Sequence, residues 1–591
     1  MMTRNPVRLA APLTFAALLA ACATQPTGHH AAAPVAASAG GPVEVGIIAI
    51  NDFHGALEPP KAAVMAPGPD GKAVAVPAGG AAWLASAVDA LKAEHPNHVV
   101  VAAGDLTSAS QLASSLHLDE PAVGVMNRIG LEFNAVGNHE FDRGPKELLR
   151  LQNGGCEKNT RLAPCTVESF KGATYKYLSA STFGPDGTTL FPATGLKTFG
   201  QGARKVTVGF VGLSLKTVPS LVSPKQLTGL TFGDEADAIN KAIPLLKAQG
   251  ADAVVVLIHQ GGKTTEGDPD TCDALTGDIK PILDRLNPGV DLVVSGHTHW
   301  QYVCHYGRSG DGTPILLTSA GVYGKLVTDI TLTIDPATHK VIAKRAHNVI
   351  VQSPGYTSAR GDAPNTPLYT QFQPRADIAA YVGRYVQDAQ GLISRPVGRL
   401  SGAVAKVEGV VETGGTLGNL IADSQLAASR DAGAQIAFTN PFGIRTTVDP
   451  GPGGVVTFGQ VYAVEPFNNE LVTMTLTGAQ LRSVIEQGLD DTGQKQGLAP
   501  SAGLTYSFDM RRPSGQRLVS LTFNGKPIDP AARYRVTVVN FLAEGGDDFT
   551  IFKQGTDTVR GMVDNEAFQQ WLGSVPVRQV PMETRSVRLD K

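Results

Sequence analysis

The chain alternates between short apolar runs and amphipathic stretches. The clearest runs are Val45–Ile50, His98–Ala102, Val206–Val211, Ala253–Ile258 and Val290–Val294, rich in Val and Ile and poor in charge. Apolar runs of this length predict strands buried on both faces of a sheet covered by helices. Helical stretches separate them, so the predicted class is layered α/β. Residues 352–374 are rich in Pro, Gly, Ser and Thr and predict loop. Residues 375–392 then carry Ile378, Tyr381, Val382 and Val386 at helical spacing, and Pro396 stops the pattern. This predicts two domains, 43–348 and 397–591, joined through 349–396 by a stiff hinge helix over 375–392, about which the domains would rotate. There is no internal repeat.

The first residues change the picture. Arg4 and Arg8 precede an apolar run, Leu9 to Ala21, that is short for a membrane span. Residues 1–21 therefore predict an export signal, and 22–42, rich in Ala, Pro, Gly and Thr, a flexible tether. The run ends Leu19-Ala20-Ala21-Cys22, which resembles the bacterial lipoprotein signal. That resemblance implies lipid on Cys22, a periplasmic or cell-envelope location and, from Ala23, the outer membrane. An ordinary signal peptide with an incidental Cys is the alternative.

Four further cysteines remain: Cys156, Cys165, Cys272 and Cys304. An exported chain with an even count predicts two disulfides, with three possible connectivities. Proximity favours Cys156–Cys165 and leaves Cys272–Cys304. Metal binding by these cysteines is the competing reading, weakened by the lack of a CxxC pair.

The length, 591 residues, exceeds what one core holds, and 42% hydrophobic with 17% charged residues is a globular composition. A net charge of −3 argues against a nucleic-acid polymer as partner. Small anions stay open, because a bound cation can supply local positive charge.

Polar clusters follow the predicted strands. Ile50 leads into Asn51-Asp52-Phe53-His54, Ala103 into Gly104-Asp105, and Val136 into Gly137-Asn138-His139-Glu140. Ile258 leads into His259, and Ser295 into Gly296-His297-Thr298-His299. Parallel α/β sheets gather ligands at that strand edge. Taken singly, Asp105 reads as a helix cap, Asn138 as a turn residue and His259 as a satisfied polar group. Together they offer carboxylate, imidazole and amide donors suited to two divalent cations, zinc or manganese.

In this order the clusters resemble the calcineurin-like metallophosphoesterase signature. The resemblance implies a four-layer α/β/β/α metal domain. It assigns Asp52, His54, Asp105 and His299 to one metal, and Asp105, Asn138, His259 and His297 to the other. Two such cations lower the pKa of a bound water and align an in-line attack on phosphorus. His139 would donate to the developing charge or leaving oxygen, oriented by Asp142. A helix N-cap is the alternative for Asp142.

In the second domain, Asn440-Pro441-Phe442-Gly443-Ile444-Arg445, Glu465-Pro466-Phe467-Asn468-Asn469 and Asn540-Phe541-Leu542-Ala543-Glu544-Gly545-Gly546-Asp547 resemble the C-terminal α/β domain of 5′-nucleotidases and periplasmic UDP-sugar hydrolases. By that resemblance Phe467 and Phe541 sandwich a base, Asn469 and Asp547 bond base or ribose, and Arg445 approaches the phosphate. Core packing is the competing reading for either Phe. Two departures stand out: Val407 and Val411 occupy positions of family arginines, with Lys406 beside them, and Phe442 replaces a small Gly.

The expectation is an exported, monomeric, two-metal 5′-nucleotidase held to the membrane only by lipid. The alternatives are a UDP-sugar diphosphatase or 2′,3′-cyclic-nucleotide phosphodiesterase, a non-catalytic surface lipoprotein, and a sulfur-ester hydrolase.

Overall fold

The computed structural model describes residues 41–307, 314–358, 361–407, 409, 411–491 and 496–591. The signal, Cys22 and most of the tether lie outside the described residues. Among the described residues no helix is long and apolar enough to cross a membrane.

Two six-stranded sheets form the first half. One runs Lys340–Ile350, Leu326–Asp335, Val43–Ile50, His98–Ala102, Leu131–Ala135, Lys176–Leu178. The other runs Gln301–Tyr306, Ile315–Ala320, Leu292–Ser295, Ala253–Ile258, Val206–Leu213, Thr194–Phe199. Their central strands pair in parallel, and antiparallel strands close every edge but one, where Lys176–Leu178 pairs in parallel with Leu131–Ala135. The expected apolar runs are strands, and Ala253–Ile258 and Val206–Leu213 are buried at every position.

The sheets face each other through Ile47, Val99, Val101, Phe210, Val255 and Leu292. Helices cover the outer faces, Ala81–Glu94 and Glu120–Ile129 on one side, Glu235–Ala248 and Ile279–Asp284 on the other. The layering is therefore α/β/β/α.

The second half has a five-stranded sheet built around Arg533–Val539 and a smaller four-stranded one. Both bury their apolar faces with helix Gly478–Leu489.

The joining helix, Ala376–Ile393, differs from a free-standing connector. Its buried stripe of Ile378, Tyr381, Val382, Tyr385 and Ala389 belongs to the core of the first half. Each large side chain of that kind contributes about 1.5–3 kcal/mol through burial. The approach is close: a Cβ on Gly124 would lie 1.9 Å from the Tyr381 hydroxyl, so only glycine fits beneath that ring. The helix ends three residues before Pro396, which opens a short strand. The segment before it, expected as loop, also holds a small hairpin, Tyr356–Ser358 with Gly361–Ala363. Each of these strands is three residues long, too short for a period-two pattern to show in the sequence.

Candidate active site

Every expected metal-binding residue falls at or just beyond the C-terminal end of a parallel strand, on one edge of the two facing sheets. Two groups of donors result, Asp52 with His54 and His299, and Asp105 with His259 and His297. His54 Nε2 lies 3.2 Å from His299 Nε2, 3.9 Å from an Asp52 oxygen and 3.8 Å from Asp105 Oδ2. His259 Nε2 lies 2.9 Å from Asp105 Oδ2 and 3.1 Å from Asn138 Oδ1, which is itself 3.0 Å from His297 Nδ1. Asp105 thus reaches both groups, as a bridging carboxylate must.

Lone-pair atoms crowd around two points here, an arrangement a divalent cation resolves. The rings are aimed from behind. His54 Nδ1–H donates to the Ser108 carbonyl at 2.9 Å, and His259 Nδ1–H to the Ala103 carbonyl at 2.7 Å. Each ring thereby turns Nε2 inward; burial keeps His54 neutral, whereas on His259 burial opposes charge but the Asp105 carboxylate outweighs it and raises the pKa to about 10.

The backbone is bent to achieve this. Asp52, His54, Asp105, His297 and His299 have φ of 47°, 47°, 50°, 72° and 60°. Left-handed conformations in non-glycine residues cost about 1–3 kcal/mol each and gather where function holds them. A Cβ on Gly137 would sit 2.1 Å from Asp105 Oδ1, which explains glycine at that position.

Burial dominates the electrostatics. It pushes Asp52 up to about 7, and pulls His54 and His297 down to about 3. Burial also opposes ionisation of Asp105, but His259, His139 and His54 overcome it and hold its pKa well below the usual carboxylate range.

Glu140 went unassigned in the sequence, and the structure gives it a position. Its Oε2 accepts from the Asp105 and Gly137 amides at 2.9 and 2.7 Å, and its Oε1 from Leu106 and Thr107 at 2.8 and 3.2 Å. One buried carboxylate thereby knots together two ligand loops. Only its place in the Gly137–Glu140 cluster signalled it.

His139 Nδ1 pairs with Asp142 Oδ2 at 2.8 Å. The N-cap of the next helix, Pro145–Asn153, is Gly144, so Asp142 orients His139 and does not cap. Burial opposes charge on His139, but Asp142 and Asp105 outweigh it and raise its pKa.

The second half closes over this edge. Arg445 is near enough to lower the pKa of His54, His139, His297 and His299. Among the described residues its Nε and Nη2 are buried without a hydrogen-bond partner. The Phe467 ring lies nearly parallel to His139, with centroids 5.6 Å apart and planes at 14°. Arg445 Cζ lies 5.9 Å from the same ring centre. Phe541 is half-buried, and its ring covers Gly546.

Asp547 Oδ2 accepts from Asn440 Nδ2 at 2.7 Å and Gln496 Nε2 at 2.6 Å, while burial pushes its pKa up to about 6. Asn469 directs its side chain to Asp564, and its carbonyl accepts from the Asp564 amide at 2.8 Å. Across the gap, Tyr462 and Ser115 hydroxyls bond each other, and Ser223 donates to Glu544 at 2.7 Å.

Val411 is core. Val407 is solvent-facing, and Phe442 is 40% exposed. Neither valine supplies charge to the site. Cys156–Cys165 and Cys272–Cys304 are both disulfides; the second closes the loop that carries His297 and His299.

Comparisons with known proteins identify both domains. Residues 46–301 match the calcineurin-like phosphoesterase model, and residues 396–554 match the 5′-nucleotidase C-terminal domain. Endonuclease YhcR of Bacillus subtilis is 29% identical over 539 residues, covering 90% of this chain; the chain spans only 40% of that protein's length. A probable 5′-nucleotidase of Treponema pallidum is 25% identical, covering 89% of this chain and 90% of that one. The solved structure of a 5′-nucleotidase precursor from Thermus thermophilus superposes with a TM-score of 0.74 at 27% identity, covering 93% of this chain and 100% of the other. The chain belongs to the calcineurin-like phosphoesterases that carry a 5′-nucleotidase C-terminal domain.

Proposed function

We propose that the protein is an exported, two-metal hydrolase that releases phosphate from 5′-nucleotides. The observation that carries this reading is Arg445. Beside the two cation-binding groups, two of its buried donors lack an acceptor among the described residues. Unsatisfied buried donors cost about 1–3 kcal/mol each, and a phosphoryl group would satisfy them through the planar guanidinium fork.

In this reading Asp52, His54, Asp105 and His299 hold one cation, and Asp105, Asn138, His259 and His297 hold the other. The imidazole and carboxylate donors suit zinc or manganese. When bound, the cations supply hydroxide near neutral pH and neutralise phosphoryl oxygens. His139, with Nδ1 committed to Asp142, turns Nε2 toward the leaving oxygen and protonates it. Phe467 and Phe541 offer faces to the base, and Asp547 and Asn469 bond the nucleoside.

The halves must part to admit substrate and close to react. Because helix Ala376–Ile393 packs with the first half, the pivot falls at its C-terminal end, residues 394–396. Cys22 carries the lipid, and Cys22→Ser should move the protein from the membrane to the soluble fraction of the cell envelope.

Relatives named 5′-nucleotidase support the substrate class. The test is phosphate release from 5′-AMP, UDP-glucose, a 2′,3′-cyclic nucleotide and an aryl phosphate, with scission of single-stranded DNA followed alongside. It is run with zinc, manganese or chelator, beside Arg445→Ala and His139→Ala. Fastest turnover of 5′-AMP, lost with chelator and in both variants, is expected. Activity on the aryl ester alone would remove the nucleotide, and metal binding without any turnover would leave a surface-interaction protein.

A further inference from the structure

We infer that Phe467 is a positioning residue for His139, in addition to any role as a base platform. This rests on the phosphoesterase reading above. A base platform needs one ring face open and no contact across the domain gap. Phe467 instead lays a face against an imidazole from the other half, 5.6 Å between centres and 14° from parallel.

The bond from His139 Nδ1 to Asp142 at 2.8 Å fixes one point of the imidazole. A single bond leaves the ring free to swing about that point. A flat ring against its face removes the swing, so that together they set the direction of Nε2.

Phe467 is itself held tightly. The Pro466 carbonyl accepts from Tyr462 at 2.9 Å, and Tyr462 also bonds Ser115 of the first half. Asn565 Nδ2 donates to Asn468 Oδ1 at 2.9 Å, and the Asp564 amide to the Asn469 carbonyl at 2.8 Å. The residues on both sides of Phe467 are thus pinned, one of them through the inter-domain bond. Closure delivers the ring to His139 whether or not a base is present. Phe467 therefore contributes to hydrolysis of phosphate esters that have no base.

The test measures kcat and KM on 5′-AMP and on ribose 5-phosphate, with bound metal quantified. The proteins are wild type, Phe467→Leu, Phe467→Tyr, His139→Asn and the Phe467→Leu/His139→Asn double variant. Phe467→Leu should lower kcat on ribose 5-phosphate about tenfold, a fraction of the roughly 10²–10⁴-fold that positioned acid catalysis supplies. KM for that ester and metal content should hold, and Phe467→Tyr should retain kcat. In the His139→Asn background the same Leu substitution should cost nothing further.

Unchanged kcat on ribose 5-phosphate, with only the 5′-AMP KM raised, would reduce Phe467 to a platform. An equal loss in the His139→Asn background would also overturn the inference, as would failure of the wild type to turn over ribose 5-phosphate. Failure of the nucleotide reading is separately visible, as no preference of wild type for 5′-AMP over ribose 5-phosphate.

Discussion

Asp52, His54, Asp105 and His259 sit fully buried at strand ends, the His54 and His259 rings aimed by backbone carbonyls and several of the φ angles left-handed. Arg445 and Phe467 instead ride on loops, half-buried, and reach the site only because two domains meet, while Phe541 packs against the core of its own half. The first arrangement is rigid by construction. The second is assembled by closure. In the proposed reading, one domain holds the reacting centre ready, and the other brings substrate to it and completes it.

The comparison breaks most sharply at Asp105, which serves both groups of donors. Asp105→Asn should lower metal content and turnover more than about 100-fold, beyond the roughly 10–100-fold usual for residues behind the ligands. Metal analysis beside phosphate release checks it, and full retention of both metals would mean that the carboxylate does not bridge. Next comes Glu140→Gln, which replaces one acceptor oxygen facing the Asp105, Gly137, Leu106 and Thr107 amides with an NH₂. Metal affinity should fall about 10–100-fold while substrate KM at saturating metal holds. Chelator competition reads this directly.

The recognition half predicts smaller effects. Asp547 has its pKa pushed up to about 6 by burial, with Asp548 adding and Gln496 and Asn440 opposing. Above that pH it is charged and accepts strongly; as pH falls through about 6 it takes a proton and loses acceptor strength. KM for 5′-AMP should therefore rise below about pH 6, and Asp547→Asn should flatten that inflection. The smallest effect is expected for Ser223→Ala, which removes the bond to Glu544. One hydrogen bond contributes about 0.5–1.5 kcal/mol, so KM should rise roughly two- to tenfold with metal content unchanged. A fall in metal content would show that the halves are not energetically separate.

The same division explains how much the sequence could reveal. Layered α/β and the strand-end clusters were legible because Val and Ile runs ending in Asp, Asn and His leave a local trace. The anchoring of those ligands was not. Ser108 and Ala103 act through carbonyls that any residue possesses, and Glu140 works on amides more than thirty positions away. In the second half, Phe467 was visible as a motif residue, but its face-to-face contact with His139 depends on domain placement. Gln496, which joins Asp547 to the Phe442 amide at 3.2 Å, carried no pattern at all. The joining helix was legible as a helix, while its allegiance was not, since an amphipathic stripe does not say which neighbour it covers.

That allegiance matters beyond catalysis. A chain severed before Ala376 would bare the grooves that Ile378, Tyr381 and Tyr385 fill, leaving a sticky apolar stripe on the orphaned first half. Aggregation should follow, since exposed contiguous apolar surface invites it. A cut after Ile393 leaves that stripe covered. Swapping of substrate domains between related chains, in the laboratory or over generations, is therefore least damaging when the crossover falls beyond the helix.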